Sequence, residues 1–262
     1  MIRIISANLN GIRSAASKGF FEWLQGQQAD FVGVQELKAQ ADQVQGAFDA
    51  PQGLAGWFHY AQKKGYSGVG LYSRHTPSDV ITGIGVPEFD DEGRWVELRF
   101  DSPGRRLSII SCYFPSGSAG DERQASKFRF LEAMSPHLQS LCAEREFVLV
   151  GDVNIAHQPI DLKNWKSNQK NSGFLPQERD WMTALIGSGV HDVYRRLHPD
   201  TTEDSYTWWS NRGAAYANNV GWRIDYHLAT AALADRARSA SIYKAQKFSD
   251  HAPLTIDYDL AL

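Results

Sequence analysis

The chain has little cysteine and no long apolar run. Its two cysteines, Cys112 and Cys142, stand far apart in apolar surroundings. They form no C-x-x-C pair, which excludes a local redox couple and the usual zinc spacings. Buried, reduced thiols are expected at both positions. Nowhere do 18 apolar residues run together, so no membrane-spanning helix is expected. The opening MIRIISANLN lacks an apolar segment ending in small residues, and a cytoplasmic protein is the expectation. No tract rich in Pro, Gly or Ser divides the chain and no repeat recurs. Residues 1–262 are therefore expected to form a single domain with a substantial core. Strong charge of one sign is also missing, since the net charge is −3. That argues against coating nucleic acid by bulk electrostatics but leaves room for a local basic face. Lys163, Lys166 and Lys170 run without an acid among them, and Lys63-Lys64 precede a Gly-rich stretch. From charge alone, a solvated face is the plainer reading of both clusters.

What is present is a series of apolar runs rich in β-branched residues. Ile2 to Ser6, Phe31 to Val34, Gly68 to Tyr72, Trp95 to Phe100, Leu107 to Tyr113, Phe147 to Val150, Ile224 to Leu228 and Leu254 to Tyr258 predict strands. Between them, residues 14 to 27 place Phe20, Phe21 and Leu24 on one helical face. Residues 121 to 141 place Phe128, Leu131, Met134, Leu138 and Leu141 at steps of three and four. Pro136 is expected to kink or divide that second helix. A third helix is expected from Pro176 through Trp181 and Leu185. Many strands with intermittent helices predict two packed sheets carrying helices outside.

Polar residues gather where the apolar runs stop. The first strand runs into Asn8 and Asn10, the second into Gln35 and Glu36, and Phe147–Val150 into Asp152 and Asn154. Asp225 sits in "WRIDYHLAT", and Asp250-His251 precede the last strand in "FSDHAPLTIDY". Any one of these residues has a plain explanation as a helix cap or turn former. Repetition at separate strand ends instead predicts a site built on a rigid sheet edge from residues distant in sequence. Oxygen donors without a Cys or His cluster suit a hard cation, Mg²⁺ or Mn²⁺, rather than zinc. No G-x-x-x-x-G-K-[ST] loop points to a nucleoside triphosphate. Carboxylate, amide, imidazole and metal together suit hydrolysis of a phosphate ester.

The stretches "ISANLNGIRSA", "VQELKAQ", "KKGYSGVGLYS", "YFPSGS", "GDVNIAHQPIDLKN", "SGFLPQER", "YTWWSNR", "VGWRIDY" and "KFSDHAPL" occur in order from residue 2 to about residue 258. Together they resemble the exonuclease III family of apurinic/apyrimidinic (AP) endonucleases. The S-D-H-x-P piece is shared across the wider endonuclease/exonuclease/phosphatase superfamily, whereas "GDVNIAHQPIDLKN" with "VGWRIDY" points to the AP endonuclease branch. The resemblance implies an α/β fold of the DNase I-like kind, a four-layered sandwich of two mixed β-sheets packed face to face with helices outside. It implies that Glu36 is the principal metal carboxylate, with Asp250 and Asn10 as further ligands, and that Mg²⁺ is the cofactor. Asp152 would orient or activate the attacking water, supported by Asn154 and Asn8. His251 would contact the scissile phosphate, oriented by Asp225, and Tyr113 would lie beside the phosphate or leaving group.

The same resemblance implies a pocket of Trp208, Trp222 and Ile224 for a flipped-out sugar without a base. Plain core packing is the alternative for those aromatics. Arg212 would enter the duplex or hold a phosphate, and Lys163, Lys166 and Lys170 would contact the backbone. The expected partner is double-stranded DNA with abasic sites or blocked 3′ ends, bound by a monomer with no membrane association. Asn10 stands where some relatives carry Asp, which favours a single tight metal; Trp208 is larger than the Phe of others, which narrows the pocket. The balance between AP-site incision, 3′-phosphodiesterase and 3′→5′ exonuclease activity stays open on sequence. A 3′-end-processing enzyme with little AP activity is the main alternative. A lipid or inositol phosphatase is disfavoured by the lack of a membrane-directed segment, and a non-catalytic DNA binder by the presence of Glu36, Asp152 and His251 together.

Overall fold

Side chains that alternate between the two faces of each strand build the layers in the computed structural model, which describes all 262 residues. In chain order the strands are β1 (Ile2–Asn8), β2 (Phe31–Gln35), β3 (Ala55–His59), β4 (Val69–Ser73), β5 (Asp79–Thr82), β6 (Trp95–Arg99) and β7 (Leu107–Tyr113). They continue with β8 (Glu146–Asp152), β9 (Val190–Asp192), β10 (Trp208–Trp209), β11 (Gly221–Trp222), β12 (Asp225–Thr230), β13 (Ala237–Ile242) and β14 (Leu254–Tyr258). One six-stranded sheet has the order β13-β14-β1-β2-β4-β3 and the other β5-β6-β7-β8-β12-β9, with β10 and β11 forming a separate ribbon. Both large sheets are mixed: β1 and β2 are parallel, as are β7 and β8, and the remaining pairings are antiparallel.

The period of two explains the sandwich. In β1, Ile4 enters the core between the sheets while Ile5 enters the core under the outer helices. In β8, Val148 and Val150 face the inter-sheet core, while Phe147 and Leu149 face the helix side. Each interior strand is thus apolar on both faces. Helix Phe20–Gln25 covers one sheet with Phe20 and Leu24, and helix Asp121–Glu144 covers the other with Phe130, Leu131, Met134 and Leu138. Gly33 lets the layers approach closely beneath the site, because a Cβ there would meet Val150 Cγ2 at 2.4 Å. No helix is long and apolar enough to cross a membrane.

One helix expectation needs correction, and of the two outcomes expected at Pro136, division does not occur. The segment 14 to 27 is not one helix but two, Ile12–Ser17 and Phe20–Gln25, because Gly19 adopts φ +89 and starts the second. Pro136 does not divide Asp121–Glu144, which is continuous. Pro136 and Glu132 are both exposed, so the carbonyl freed by the missing N–H lies on the solvent side, where water can satisfy it. The helix from Pro176 forms as expected, over Pro176–Gly187.

Candidate active site

The two parallel pairs decide where the polar strand ends meet. Parallel neighbours finish at the same edge, and an antiparallel neighbour begins there. Asn8 ends β1 and Glu36 follows β2, while Tyr113 and Asp152 end β7 and β8. Asp225 begins β12 opposite Asp152, and His251 precedes β14. Backbone turns then aim the groups inward. Asn10 (φ +45), Glu36 (φ +50), Lys38 (φ +49) and Asn154 (φ +56) are four of the nine non-glycine residues with positive φ, a clustering of backbone strain at one place.

Glu36, Tyr113, Asp152, Asn154 and His251 line a cavity of about 370 Å³, together with Asn10, Lys38, Ser116, Ser118, Asn171, Ser172 and Gly173, while Asn8 and Asp225 are buried behind it. Asn8 ties its two sides together, its amide donating to Glu36 Oε1 and to Asp152 Oδ2 at 2.9 Å each. Asp152 Oδ1 also accepts the Asn154 N–H at 2.8 Å, and the Asn154 amide donates to Asp152 Oδ2 at 3.2 Å. His251 Nδ1 lies 2.8 Å from Asp225 Oδ2, and its Nε2 lies 3.8 Å from Asp152 Oδ2. Ser249 Oγ accepts the His251 N–H at 2.9 Å and donates to the Asn8 carbonyl at 2.6 Å, joining the last loop to β1. One oxygen or ring nitrogen from each of Glu36, Asp152 and His251 falls within a 4.8 Å group.

Asp250 and Asn10, expected beside Glu36, are bonded to each other. Asn10 Nδ2 donates to Asp250 Oδ1 at 2.8 Å, and Trp208 Nε1 donates to Asp250 Oδ2 at 3.1 Å. The Lys38 ammonium, which sequence reasoning missed, lies 3.0 Å from Glu36 Oε2 and also donates to Asn10 Oδ1. Its signal was its place two residues after Glu36. Tyr113 lines the cavity with its ring under the Arg94 guanidinium, 4.9 Å from Cζ to the ring centroid. Gln35, at the same strand end as Glu36, does not face the cavity; it is buried between the sheets and donates to Ser111 Oγ at 3.1 Å.

The electrostatics follow from burial of several acids around one imidazole. Burial alone would lower the His251 pKa, but Asp225 and then Asp152 outweigh it and raise it to about 10. Burial raises the Asp152 carboxyl to about 8; Asp225 and Glu36 push the same way, while the His251 charge opposes them. Burial would raise Asp250 too, yet His251 and the bonds from Asn10 and Trp208 hold it below the usual carboxylate range. Tyr113 is pushed well above the tyrosine range by burial, with Glu36 and Asp152 adding, so its phenol is a neutral O–H donor.

One wall of the cavity is aromatic. Trp208 and Trp222 are register partners across β10 and β11, edge to face with centroids 6.1 Å apart, and Ile224 lies behind them. The core alternative is met only in part, for Ile224 is buried but both tryptophans are half-exposed at the cavity. Outside, Lys170 and Arg212 line an adjoining groove with Trp208 and Ser118. Lys166 is exposed, its ammonium 5.8 Å from the Trp165 ring centroid. Lys163 is ion-paired with Glu203, which competes with a phosphate for it. His157 and Asp161 of "GDVNIAHQPIDLKN" lie outside the cavity. His157 Nε2 is 2.8 Å from Thr183 Oγ1, and Asp161 is buried with Arg223 at 2.8 Å and Arg195 at 2.7 Å.

Similarity to known proteins agrees with this geometry. Residues 5–251 match the Endonuclease/Exonuclease/phosphatase family. An exodeoxyribonuclease of Bacillus subtilis (strain 168) is 38% identical over 97% of this chain and 98% of its own length. A DNA repair nuclease of Danio rerio is 34% identical over 97% of this chain and 81% of its own. Among solved structures, an AP endonuclease from Archaeoglobus fulgidus superposes with a TM-score of 0.88 at 28% identity, covering 99% of this chain and 100% of that one. A 3′ phosphatase from Neisseria bound to product DNA hairpin gives 0.87 at 25%, with the same coverage. With matches that span nearly its whole length, the chain belongs to the Endonuclease/Exonuclease/phosphatase family, in the exonuclease III branch of AP endonucleases.

Proposed function

We propose that this protein hydrolyses the phosphodiester 5′ to an abasic site in duplex DNA, leaving a 3′-hydroxyl, with Mg²⁺ as its ion and Mn²⁺ as a substitute. The observation that carries this reading is the union, in one cavity, of the carboxylate–imidazole cluster with the Trp208, Trp222 and Ile224 wall. An extruded sugar without a base would pack against an apolar wall that disfavours a full nucleotide, and no base must be unpaired to extrude it. Residues 1–262 act as one domain in this reading, supported by a core of 23 buried residues drawn from both sheets. A monomer in the cytoplasm completes it.

The chemistry assigns each group a task. Asp152 orients the attacking water and takes its proton on a carboxylate oxygen, with Asn8 and Asn154 fixing the carboxylate plane. His251, oriented by Asp225, presents Nε2–H to a phosphoryl oxygen as a preorganised donor, and the Tyr113 hydroxyl donates beside it. The oxygen-rich set around Glu36 fits a hard divalent ion, and Glu36 and Asn10 already share one cation, the Lys38 ammonium. Glu36 would hold the ion, with Asp250 and Asn10 beside it, and the ion would supply Lewis-acid neutralisation of phosphoryl charge. Arg212, Lys166 and Lys170 would hold the flanking backbone, with Lys163 secondary because of Glu203.

The deciding experiment is cleavage of a labelled duplex carrying one tetrahydrofuran abasic analogue, with Mg²⁺ and with EDTA, beside an intact duplex and a 3′-phosphate end. Metal-dependent incision 5′ to the analogue is expected; its absence sinks the reading. A second reading, 3′-end processing, is favoured by the edge-to-face Trp208–Trp222 pair, which narrows the aromatic side. Release of 3′ phosphate or trimming of 3′ ends without incision would select it.

A further inference from the structure

Behind the cavity lies a charged pair that none of these roles uses. Lys127, on Asp121–Glu144, and Glu178, on Pro176–Gly187, both have side chains with 0% exposure, and Nζ lies 2.7 Å from Oε1. Lys127 Nζ also donates to the backbone carbonyl of Asn154 at 2.7 Å. Glu178 Oε2 accepts the N–H of Gly173 at 2.7 Å and of Leu175 at 3.0 Å, and Oε1 accepts from the Gln124 amide at 3.1 Å. The Ala156 N–H donates to the Gly173 carbonyl at 2.8 Å, so the Asn154 loop and the Gly173 loop are tied both directly and through the pair.

A dry ion pair is a poor way to gain stability, since a well-packed apolar pair of similar volume is often at least as stable. Burial lowers the Lys127 pKa, and the Glu178 carboxylate opposes that change. What the charges accomplish here is connection. One ammonium and one carboxylate satisfy a carbonyl and two N–H groups on two loops that both line the cavity, which an apolar pair would leave without partners.

We infer that Lys127 and Glu178 are positioning residues that set Asn154 against Asp152 and against the Gly173 side of the cavity. Asn154 sits at φ +56 with its N–H and its amide on the two Asp152 oxygens. Its carbonyl, pinned by Lys127, sets ψ at the same residue. Both torsions of the residue that holds the Asp152 carboxylate are thereby determined, one from inside the site and one from the buried pair. The inference rests on the reading of Asp152 as the group that handles water.

The test is a double-mutant cycle. Lys127→Met, and Lys127→Met with Glu178→Gln so that no buried carboxylate is stranded, are each made alone and in an Asn154→Ala background. Steady-state cleavage of the tetrahydrofuran duplex with Mg²⁺ is measured per folded molecule, counted by duplex binding in EDTA. A kcat lowered by about 10- to 100-fold with KM within about threefold is expected, with a smaller fold loss in the Asn154→Ala background, which keeps only the backbone N–H bond to Asp152. A purely structural pair would lower the melting temperature and leave kcat per folded molecule unchanged. That result, or losses that multiply with Asn154→Ala, overturns the inference alone. A wild-type protein inactive on both the tetrahydrofuran and the 3′-phosphate duplex overturns the functional reading and this inference with it.

Discussion

Asp225 lies directly opposite Asp152 in the antiparallel pairing of β12 with β8, and Tyr113 lies opposite Asp152 on the other side, in the parallel pairing of β7 with β8. Three groups of the site are therefore one row across three neighbouring strands, held at the spacing of the sheet. His251 comes from the other sheet and completes the row by bonding Asp225.

That row makes Asp225 the main charge holding a proton on His251. Asp225→Asn removes it, so the His251 pKa falls from about 10 and the imidazolium is lost at lower pH. The alkaline limb of the kcat–pH profile should move toward neutrality. An alkaline limb that stays in place would remove His251 as the phosphate donor.

Asp152→Asn keeps the shape and removes the base. Turnover should fall by about 10²–10⁴-fold while binding of the abasic duplex in EDTA is retained. Near-wild-type cleavage by this variant would reassign the water to another group.

Glu36→Ala should act first on the ion. A Mg²⁺ titration of cleavage should show its midpoint at higher concentration, with partial recovery of rate at saturation. An unchanged midpoint would move the ion away from Glu36.

Phosphate contacts announce themselves in salt. Lys170→Ala should weaken duplex binding and reduce the slope of log K against log salt by about one. Lys163→Ala should change it less, because Glu203 already neutralises that ammonium. Equal slopes for wild type and Lys170→Ala would take Lys170 out of the interface.

Asp161 tests stability rather than chemistry. Burial would raise its pKa, but Arg223 and then Arg195 outweigh burial and lower it to about 2. A depressed carboxylate contributes stability above its unfolded value of about 3.9, and that contribution is lost as pH falls through the folded value. Urea unfolding of the wild type should therefore weaken steeply between about pH 4 and pH 2. Asp161→Asn, which strips the 1%-exposed Arg223 of one partner, should cost about 3–5 kcal/mol at neutral pH. A loss near zero would show that Asp192 alone suffices for Arg223.

The amino-acid sequence by itself determined the interior of both sheets. The eight strands read from it are the eight interior ones, to within two residues at either end, because a strand buried on both faces is a continuous apolar run. It missed β3, β5, β9 and β13, which are the four sheet edges, and the two-residue β10 and β11. Edges are partly exposed and carry no such run; β13 reads ARSASI, with an exposed or half-exposed residue at every position after the first. The polar residues at the strand ends were legible for the opposite reason, as polar groups ending apolar runs. Which of them meet was decided by tertiary structure alone. Register brought Asp225 and Tyr113 to Asp152, the packing of one sheet on the other buried Gln35 away from the cavity, and the fold of the loops after β8 and β2 kept Asp161 out of it and placed the Lys38 ammonium beside Glu36 and Asn10. The Lys127–Glu178 pair shows the limit most plainly. Lys127 occupies the stripe of Leu131, Met134, Leu138 and Leu141, so its burial was readable from helical spacing. Its partner, 51 positions on, was not, because only packing one helix against another can bring opposite charges together in a place without water.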